Sequence, residues 1–592
     1  MTETLAQIFL NTEKTYPGKA LMLVKKEGRY QPIITEEFAR RVKNISSGLK
    51  SLGLKKGDKL IILSENRPEW VMVDLATICQ GGITVPIYTS LTSEQIKYIV
   101  NDSEARFVLC SNPYLWEKVE RIKNELPRVE KYILIEEQTV PGVLNLKEIE
   151  KNGELFNKEH PADFEQTAFS IQPDELATII YTSGTTGIPK GAMLTHHNLV
   201  SNVKALRSII PFTDQDTALS FLPLSHVLER MCTYAWIYVG ATIAYAESVD
   251  TVAENLIEAR PTIMVSVPRL FDKFYARVID NVLSSSKLKK KIFFWALKIG
   301  KKHARRKLDK AKISFWLALR YSLAYKLVFS KIVERTGGRV RFFVSGGAPL
   351  NKDIAEFFYA MGILIIEGYG LTETSPVIAV NTLEEFRFGT VGKVLPGVEV
   401  KFASDGEIWA RGPNVMKGYF KKEEETKEAF EDGWFKTGDI GYLDADGYLI
   451  ITDRKKDIIV TAGGKNVAPQ PIENTIKTSP YIANAVVVGS GRKFVSALIV
   501  PDFDKLVNYA REQNISFSDP KELLTKPEIY DFFMEEIERL TPHLASYEKI
   551  KKITLLEKDF EIEAGEITPT LKVRRKIVEE KYKPLIDKMY LD

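Results

Sequence analysis

Cysteine is nearly missing from this chain, with three residues in 592. Cys79, Cys110 and Cys232 stand far apart without CxxC spacing. That excludes a disulfide scaffold and leaves no thiolate set for structural zinc; a reducing compartment fits. Histidine is also sparse, six in all and without HExxH spacing, and the adjacent His196 and His197 point different ways on a helix or a strand. No unbroken apolar run reaches the length of a membrane span. Met1 to Gly18 carries acids and has no long apolar core, which argues against a signal peptide and for a cytoplasmic protein. Internal repeats and low-complexity tracts are absent as well.

What is present describes a soluble globular protein, 44% hydrophobic and 27% charged, and too long for a single core. The net charge of +4 conceals a strong imbalance. Lys287 to Lys331 holds 15 lysines and arginines against one acid, Asp309, so this stretch carries +14 and the rest of the chain −10. Such concentration of charge points to an anionic partner surface. Nothing points to nucleic acid, and oligomeric state is not legible.

Along the chain, helical and strand patterns alternate. Phe38 to Leu52 is amphipathic, Lys59 to Leu63 reads as a strand, Trp70 to Ile78 as a helix, and Gly81 to Pro86 and Arg106 to Cys110 as further strands. The rhythm resumes at Thr217–Leu222, Thr262–Val267 and Arg341–Ser345. Alternation of this kind predicts an α/β protein with parallel sheets flanked by helices. From about 383 to 452 short strands and turns predict a small β-rich subdomain. A charged knot, Asp453-Arg454-Lys455-Lys456-Asp457, then predicts a domain boundary. The expected division is a large N-terminal domain, 1–455, with a helical basic insertion at about 284–331, and a smaller mobile α+β domain, 456–592.

One stretch organises the rest: Tyr181-Thr182-Ser183-Gly184-Thr185-Thr186-Gly187-Ile188-Pro189-Lys190-Gly191, following the apolar strand Leu176–Ile180. Glycines let the backbone approach a ligand, hydroxyls and N–H groups converge on an anion, and Lys190 adds a point charge for a polyphosphate. It reads as a phosphate-gripping loop, but not a Walker A motif, because Pro189 precedes the lysine and Gly191 follows it. Four more stretches join it. Ser345-Gly346-Gly347-Ala348-Pro349-Leu350 could admit a flat ring against the backbone. Glu367-Gly368-Tyr369-Gly370-Leu371-Thr372-Glu373-Thr374 offers an aromatic face, a hydroxyl and a hard oxygen ligand for Mg²⁺. Asp432 to Asp439 runs on to Lys456, and Thr568-Pro569-Thr570-Leu571-Lys572 closes the set.

Together and in this order, these stretches resemble the adenylate-forming (AMP-binding) superfamily, and within it the long-chain fatty-acid–CoA ligases. The likeness runs from Asn66-Arg67-Pro68-Glu69-Trp70 to Lys572 and includes Pro223-Leu224-Ser225-His226-Val227-Leu228-Glu229-Arg230. The resemblance implies an enzyme that makes an acyl-adenylate from ATP and a long-chain fatty acid with Mg²⁺, releases pyrophosphate, and transfers the acyl group to CoA. It implies that Thr182 to Lys190 hold the β- and γ-phosphates. Gly347, Ala348, Pro349, Gly368, Tyr369 and Gly370 would border the adenine, and Asp439 and Arg454 take the ribose. Thr372 would touch the α-phosphate, Glu373 with Thr182 hold Mg²⁺, and His226 lie near the acyl carboxylate, unless it is a structural histidine. Lys572 would serve adenylation, Lys456 act as hinge, and Gly463, Gly464 and Lys465 line the CoA passage. One departure concerns the acyl tunnel: some members gate it with a tryptophan where this sequence has Arg230.

Three other readings stay open: a fatty acyl-AMP ligase delivering to a carrier protein, a non-catalytic nucleotide-binding protein of the same fold, and a ligase for aromatic or short acids. For the insertion, Ile292, Trp295 and Ile299, and Ile313, Trp316 and Leu317, recur at helical spacing among cations. Either these faces meet an anionic membrane peripherally at its inner surface, or they cover the protein's own core.

Overall fold

The computed structural model describes residues 3–183, 188–561, 564–568 and 573–591. Two sheets form the bulk of the molecule. A seven-stranded sheet has the order 144–145, 131–134, 107–110, 59–63, 83–87, 176–183, 189–195, parallel until its final hairpin. A nine-stranded sheet begins at Lys393–Val394 and passes through 377–380, 365–370, 342–345, 263–266, 217–220, 242–245 and 20–26 to 29–34. Its central strands are parallel and its two margins antiparallel.

The parallel strands read as continuous apolar runs because helices cover both of their faces. Lys59–Leu63 is buried from Leu60 onward, and Phe107–Cys110 throughout. The helix Pro68–Cys79 is buried almost all round, which explains its weak amphipathic pattern in the sequence. It opens with proline in its first turn, where the missing N–H costs nothing.

A small antiparallel sheet follows, with strands 399–402, 407–411, 434–443, 430–431 and 449–454. Beyond it, the strands Ile482–Val488, Ser496–Pro501 and Ile553–Leu555 form a three-stranded sheet with apolar clusters on both faces.

The structure differs from the sequence reading in two places. The phosphate stretch is not a free loop from Tyr181 onward. Leu176–Ser183 continues as a strand and pairs with Pro189–Thr195, setting Thr182 opposite Lys190. Backbone pairing across the hairpin satisfies N–H and C=O groups that a bare loop would leave to solvent.

The insertion differs in which face it buries. It forms the helix Lys287–Leu308, then Phe315–Ala324, a π-turn and a short final helix. The inward stripe of the first helix is Phe293, Ala296, Gly300 and Ala304, while Trp295 points outward and Ile292 and Ile299 are half-buried. Gly300 dictates this: a Cβ there would lie 2.5 Å from the Ala360 carbonyl, so only glycine lets the helix pack this closely on Lys352–Ala360. His303 stacks on Tyr321 at 3.9 Å and ties the two long helices of the insertion together. Among the described residues no helix is long and apolar enough to cross a membrane.

Candidate active site

Three elements meet at the hairpin. The segment 417–420 runs along the strand Pro189–Thr195: Met193 N–H donates to Gly418 O, Lys417 N–H to Met193 O and Phe420 N–H to Gly191 O, at 2.8–3.0 Å. The turn Thr372–Thr374 packs on the same strand, and Met416 N–H donates to Glu373 O at 2.8 Å. The result brings Lys190, Tyr419 and Glu373 together. Lys190 Nζ lies 5.4 Å from the Tyr419 ring centroid, and the Tyr419 hydroxyl donates to Glu373 Oε1 at 3.0 Å. Burial, reinforced by the neighbouring Glu373 carboxylate, pushes the Tyr419 phenol pKa up, so it remains a donor. Thr182 Oγ1 donates to Lys190 O at 3.4 Å across the hairpin. Gly184, Thr185, Thr186 and Gly187 lie outside the described residues, as does the side chain of Ser183.

A second corner forms at the carboxyl ends of two parallel strands, Phe342–Ser345 and Ile365–Gly370, the usual location of a ligand crevice in an open α/β sheet. Gly347 is half-buried, and Ala348 and Pro349 are exposed there. Gly370 must be glycine, because a Cβ would sit 1.8 Å from Pro376 O, while Gly368 pairs with Val380. The Tyr369 hydroxyl donates to Asp439 Oδ2 at 2.7 Å, and Arg454 Nε lies 3.2 Å from Asp439 Oδ1. Asp439 and Arg454 are register partners on adjacent strands of the small sheet, so the pair reaches Tyr369 as a unit. Burial opposes the Arg454 charge, but Asp439, Asp457, Tyr369 and Glu373 outweigh it, and the guanidinium pKa is raised.

His226 caps the helix Val227–Val239, its Nδ1 accepting from Leu228 N–H at 3.2 Å. One turn on, Arg230 is fully buried. It pairs with Asp74, donates to Thr84, and donates to Thr178 and Tyr234 at 2.6 and 2.7 Å. Lys456 is exposed just past the strand Leu449–Arg454, and Gly463, Gly464 and Lys465 form an exposed turn between Ile459–Val460 and Asn466–Val467. Lys572 lies outside the described residues.

For Mg²⁺, Glu373 is the carboxylate at the hairpin, and the described residues contain no group of three or more acids, histidines or cysteines arranged to hold a metal ion. That donor set suits a hard cation that arrives with nucleotide phosphates and keeps its waters, rather than a dedicated protein cage.

The pattern matches known proteins over its full length. The AMP-binding enzyme family model covers residues 9–420, and the model for the AMP-binding enzyme C-terminal domain covers 456–592. The chain belongs to the AMP-binding enzyme family. It is 34% identical over 591 residues to the long-chain-fatty-acid–CoA ligase FadD15 of Mycobacterium tuberculosis, covering 99% of this chain and 97% of that one. It is 33% identical over 613 residues to the human long-chain-fatty-acid–CoA ligase ACSBG2, covering 98% and 91%. The adenylation domain of a carboxylate reductase from Mycobacterium chelonae shares the fold, with a TM-score of 0.74 at 23% identity over 100% of this chain and 91% of that one. Within this AMP-binding enzyme, Tyr419 is the neighbour of Lys190 and Glu373 that the sequence reading missed. Its only signal was an aromatic pair, Tyr419-Phe420, after Gly418.

Proposed function

We propose that the protein is an ATP-dependent long-chain fatty-acid–CoA ligase. It joins a fatty carboxylate to ATP, releasing pyrophosphate and forming acyl-AMP, then passes the acyl group to the CoA thiol with loss of AMP. The observation that carries this reading is the convergence of Lys190 and Glu373 on Tyr419, with the Asp439–Arg454 pair within electrostatic reach of Glu373. The near-full-length likeness to long-chain fatty-acid–CoA ligases supports the substrate class. ATP–pyrophosphate exchange over acids of increasing length, with and without CoA, tests it; no exchange with any fatty acid overturns it.

The nucleophile is already an anion, so the first step asks for in-line positioning and for positive charge near the α-phosphorus rather than for a base. Lys190, with Thr182 to Gly187, would bind the β- and γ-phosphates. Thr372 would hold the α-phosphate, Gly347 to Pro349 and Tyr369 the adenine, and Asp439 and Arg454 the ribose hydroxyls. His226 would lie near the acyl carboxylate. Glu373, with Thr182, would hold Mg²⁺, which when bound neutralises phosphate charge. The domain 456–592 would supply Lys572 for adenylation, then turn about Lys456 so that Gly463 to Lys465 line the thiol's approach. Glu373→Gln should raise the Mg²⁺ requirement and lower adenylation by about 10²-fold with unchanged thermal unfolding, since a neutral amide is a poor ligand for a hard cation. Unaltered Mg²⁺ dependence in the exchange assay would assign the metal elsewhere.

The insertion supports peripheral contact with anionic lipid at the cytoplasmic membrane face. Its inner face packs on the protein, yet Phe315 is 75% and Trp316 68% exposed, and Phe294, Leu319, Leu323 and Leu327 are exposed beside them. Lys289, Lys291, Lys301 and Lys302 are exposed and Lys290 half-buried along the same hairpin. Aromatics at headgroup depth and cations against anionic lipid fit such a surface. Reversing the charge of these five lysines should weaken salt-sensitive vesicle binding by at least about tenfold at low salt while folding is kept. Sedimentation with anionic vesicles checks this.

A further inference from the structure

Lys190 and Glu373 carry opposite charges on neighbouring elements and are both half-buried, and two such groups would ordinarily close on each other as an ion pair. Among the described residues they form none, because the Tyr419 side chain stands between them. Its ring face takes the Lys190 ammonium at 5.4 Å, and its hydroxyl donates to Glu373 Oε1 at 3.0 Å. A tyrosine has two side-chain torsions, so one stiff group fixes the spacing of both charges.

The backbone holds Tyr419 firmly in this position. Tyr419 N–H donates to Thr426 Oγ1 at 2.9 Å, and Tyr419 itself bridges Ala192 on the lysine-bearing strand. The same segment reaches the Glu373 turn through Met416 N–H. Tyr419 therefore belongs mechanically to both the hairpin and the turn.

We propose that Tyr419 is a positioning residue for nucleotide and Mg²⁺ binding: its ring keeps Lys190 apart from Glu373, and its hydroxyl sets the Glu373 carboxylate for the metal. This rests on the assignment of Lys190 to phosphate and Glu373 to Mg²⁺. The two halves of the side chain then have separable effects. Tyr419→Phe keeps the ring and loses the hydroxyl, so metal-free nucleotide binding should stay as in the wild type. The Mg²⁺ concentration needed for tight binding should rise about tenfold, the scale of a lost hydrogen bond to a charged group. Tyr419→Leu removes the cation–π face as well and lets Lys190 and Glu373 pair, so metal-free binding should also weaken, by roughly three- to tenfold.

The test is calorimetric titration of the full-length protein with α,β-methylene-ATP at graded Mg²⁺, repeated with Mn²⁺ followed by electron paramagnetic resonance. Thermal unfolding of each variant verifies that it is folded. The expected result is a metal-specific defect in Tyr419→Phe and a combined defect in Tyr419→Leu. A Tyr419→Phe protein with wild-type Mg²⁺ dependence overturns the proposal. So does one in which metal-free and metal-supported binding fall equally, which marks Tyr419 as packing only. A wild-type protein whose nucleotide binding ignores Mg²⁺ overturns this proposal and the Glu373 assignment together. No fatty acid enters the measurement, so failure of the long-chain substrate reading in the exchange assay would be seen separately.

Discussion

Arg230→Met should destabilise the N-terminal core by about 3–5 kcal/mol, the scale of breaking a buried ion pair from one side. Arg230 and Asp74 are both fully shielded from solvent. Removing the guanidinium strands the Asp74 carboxylate and frees the Thr84 and Thr178 hydroxyls that now receive its N–H groups. Tyr234 would still donate to Asp74 Oδ2 at 2.6 Å, which leaves some of the cluster intact. Methionine fills much of the volume, so the cavity contribution stays small. Thermal and urea unfolding would measure the loss, and the combined Arg230→Met, Asp74→Leu variant should recover part of it, because an apolar pair avoids the desolvation of two charges. A single variant as stable as wild type would show that water or neighbouring groups satisfy Asp74. The same cluster bears on acyl recognition. A side chain bonded to Asp74, Thr84, Thr178 and Tyr234 joins the helix after His226 to the other sheet, a structural role unlike that of a gate.

Lys572→Ala should lower adenylation by about 10²–10³, corresponding to roughly 3–4 kcal/mol for a charged contact made in the transition state. Acyl transfer to CoA from supplied acyl-AMP should largely survive, because under the proposed function that step would use the other orientation of the domain 456–592. Single-turnover assays of the two half-reactions separate these outcomes. Equal loss in both would remove Lys572 from a role confined to the first step. This expectation rests on the chain's motif and family.

Local chemistry was legible in the sequence wherever a short stretch meets its own requirement. Lys59–Leu63 is a strand because its apolar run suits a two-sided burial, and it appears with those bounds. Thr182 and Lys190, Tyr369, Glu373, Asp439 and Arg454 stood out because each lies in a stretch whose residue order is unusual for a plain turn or loop. The parallel α/β architecture followed from alternation alone, since parallel strands need crossover helices.

Pairing across long separations was decided only by the tertiary structure. Arg230 meets Asp74 from 156 residues away, and Tyr419 meets Glu373 from 46. No local pattern encodes either partner. The pairing of Thr182 with Lys190 was hidden because Thr182 and Ser183 read as the start of a loop until the strand Pro189–Thr195 pairs with them. In the insertion, helical spacing was visible but its inward face was not. Several apolar stripes were available, and the close approach of Gly300 to Ala360 selected Phe293, Ala296 and Ala304 for burial, leaving Trp295 outside. Periodicity determines that a helix has an apolar side; only the neighbour it packs against determines which apolar residues are spent on the core.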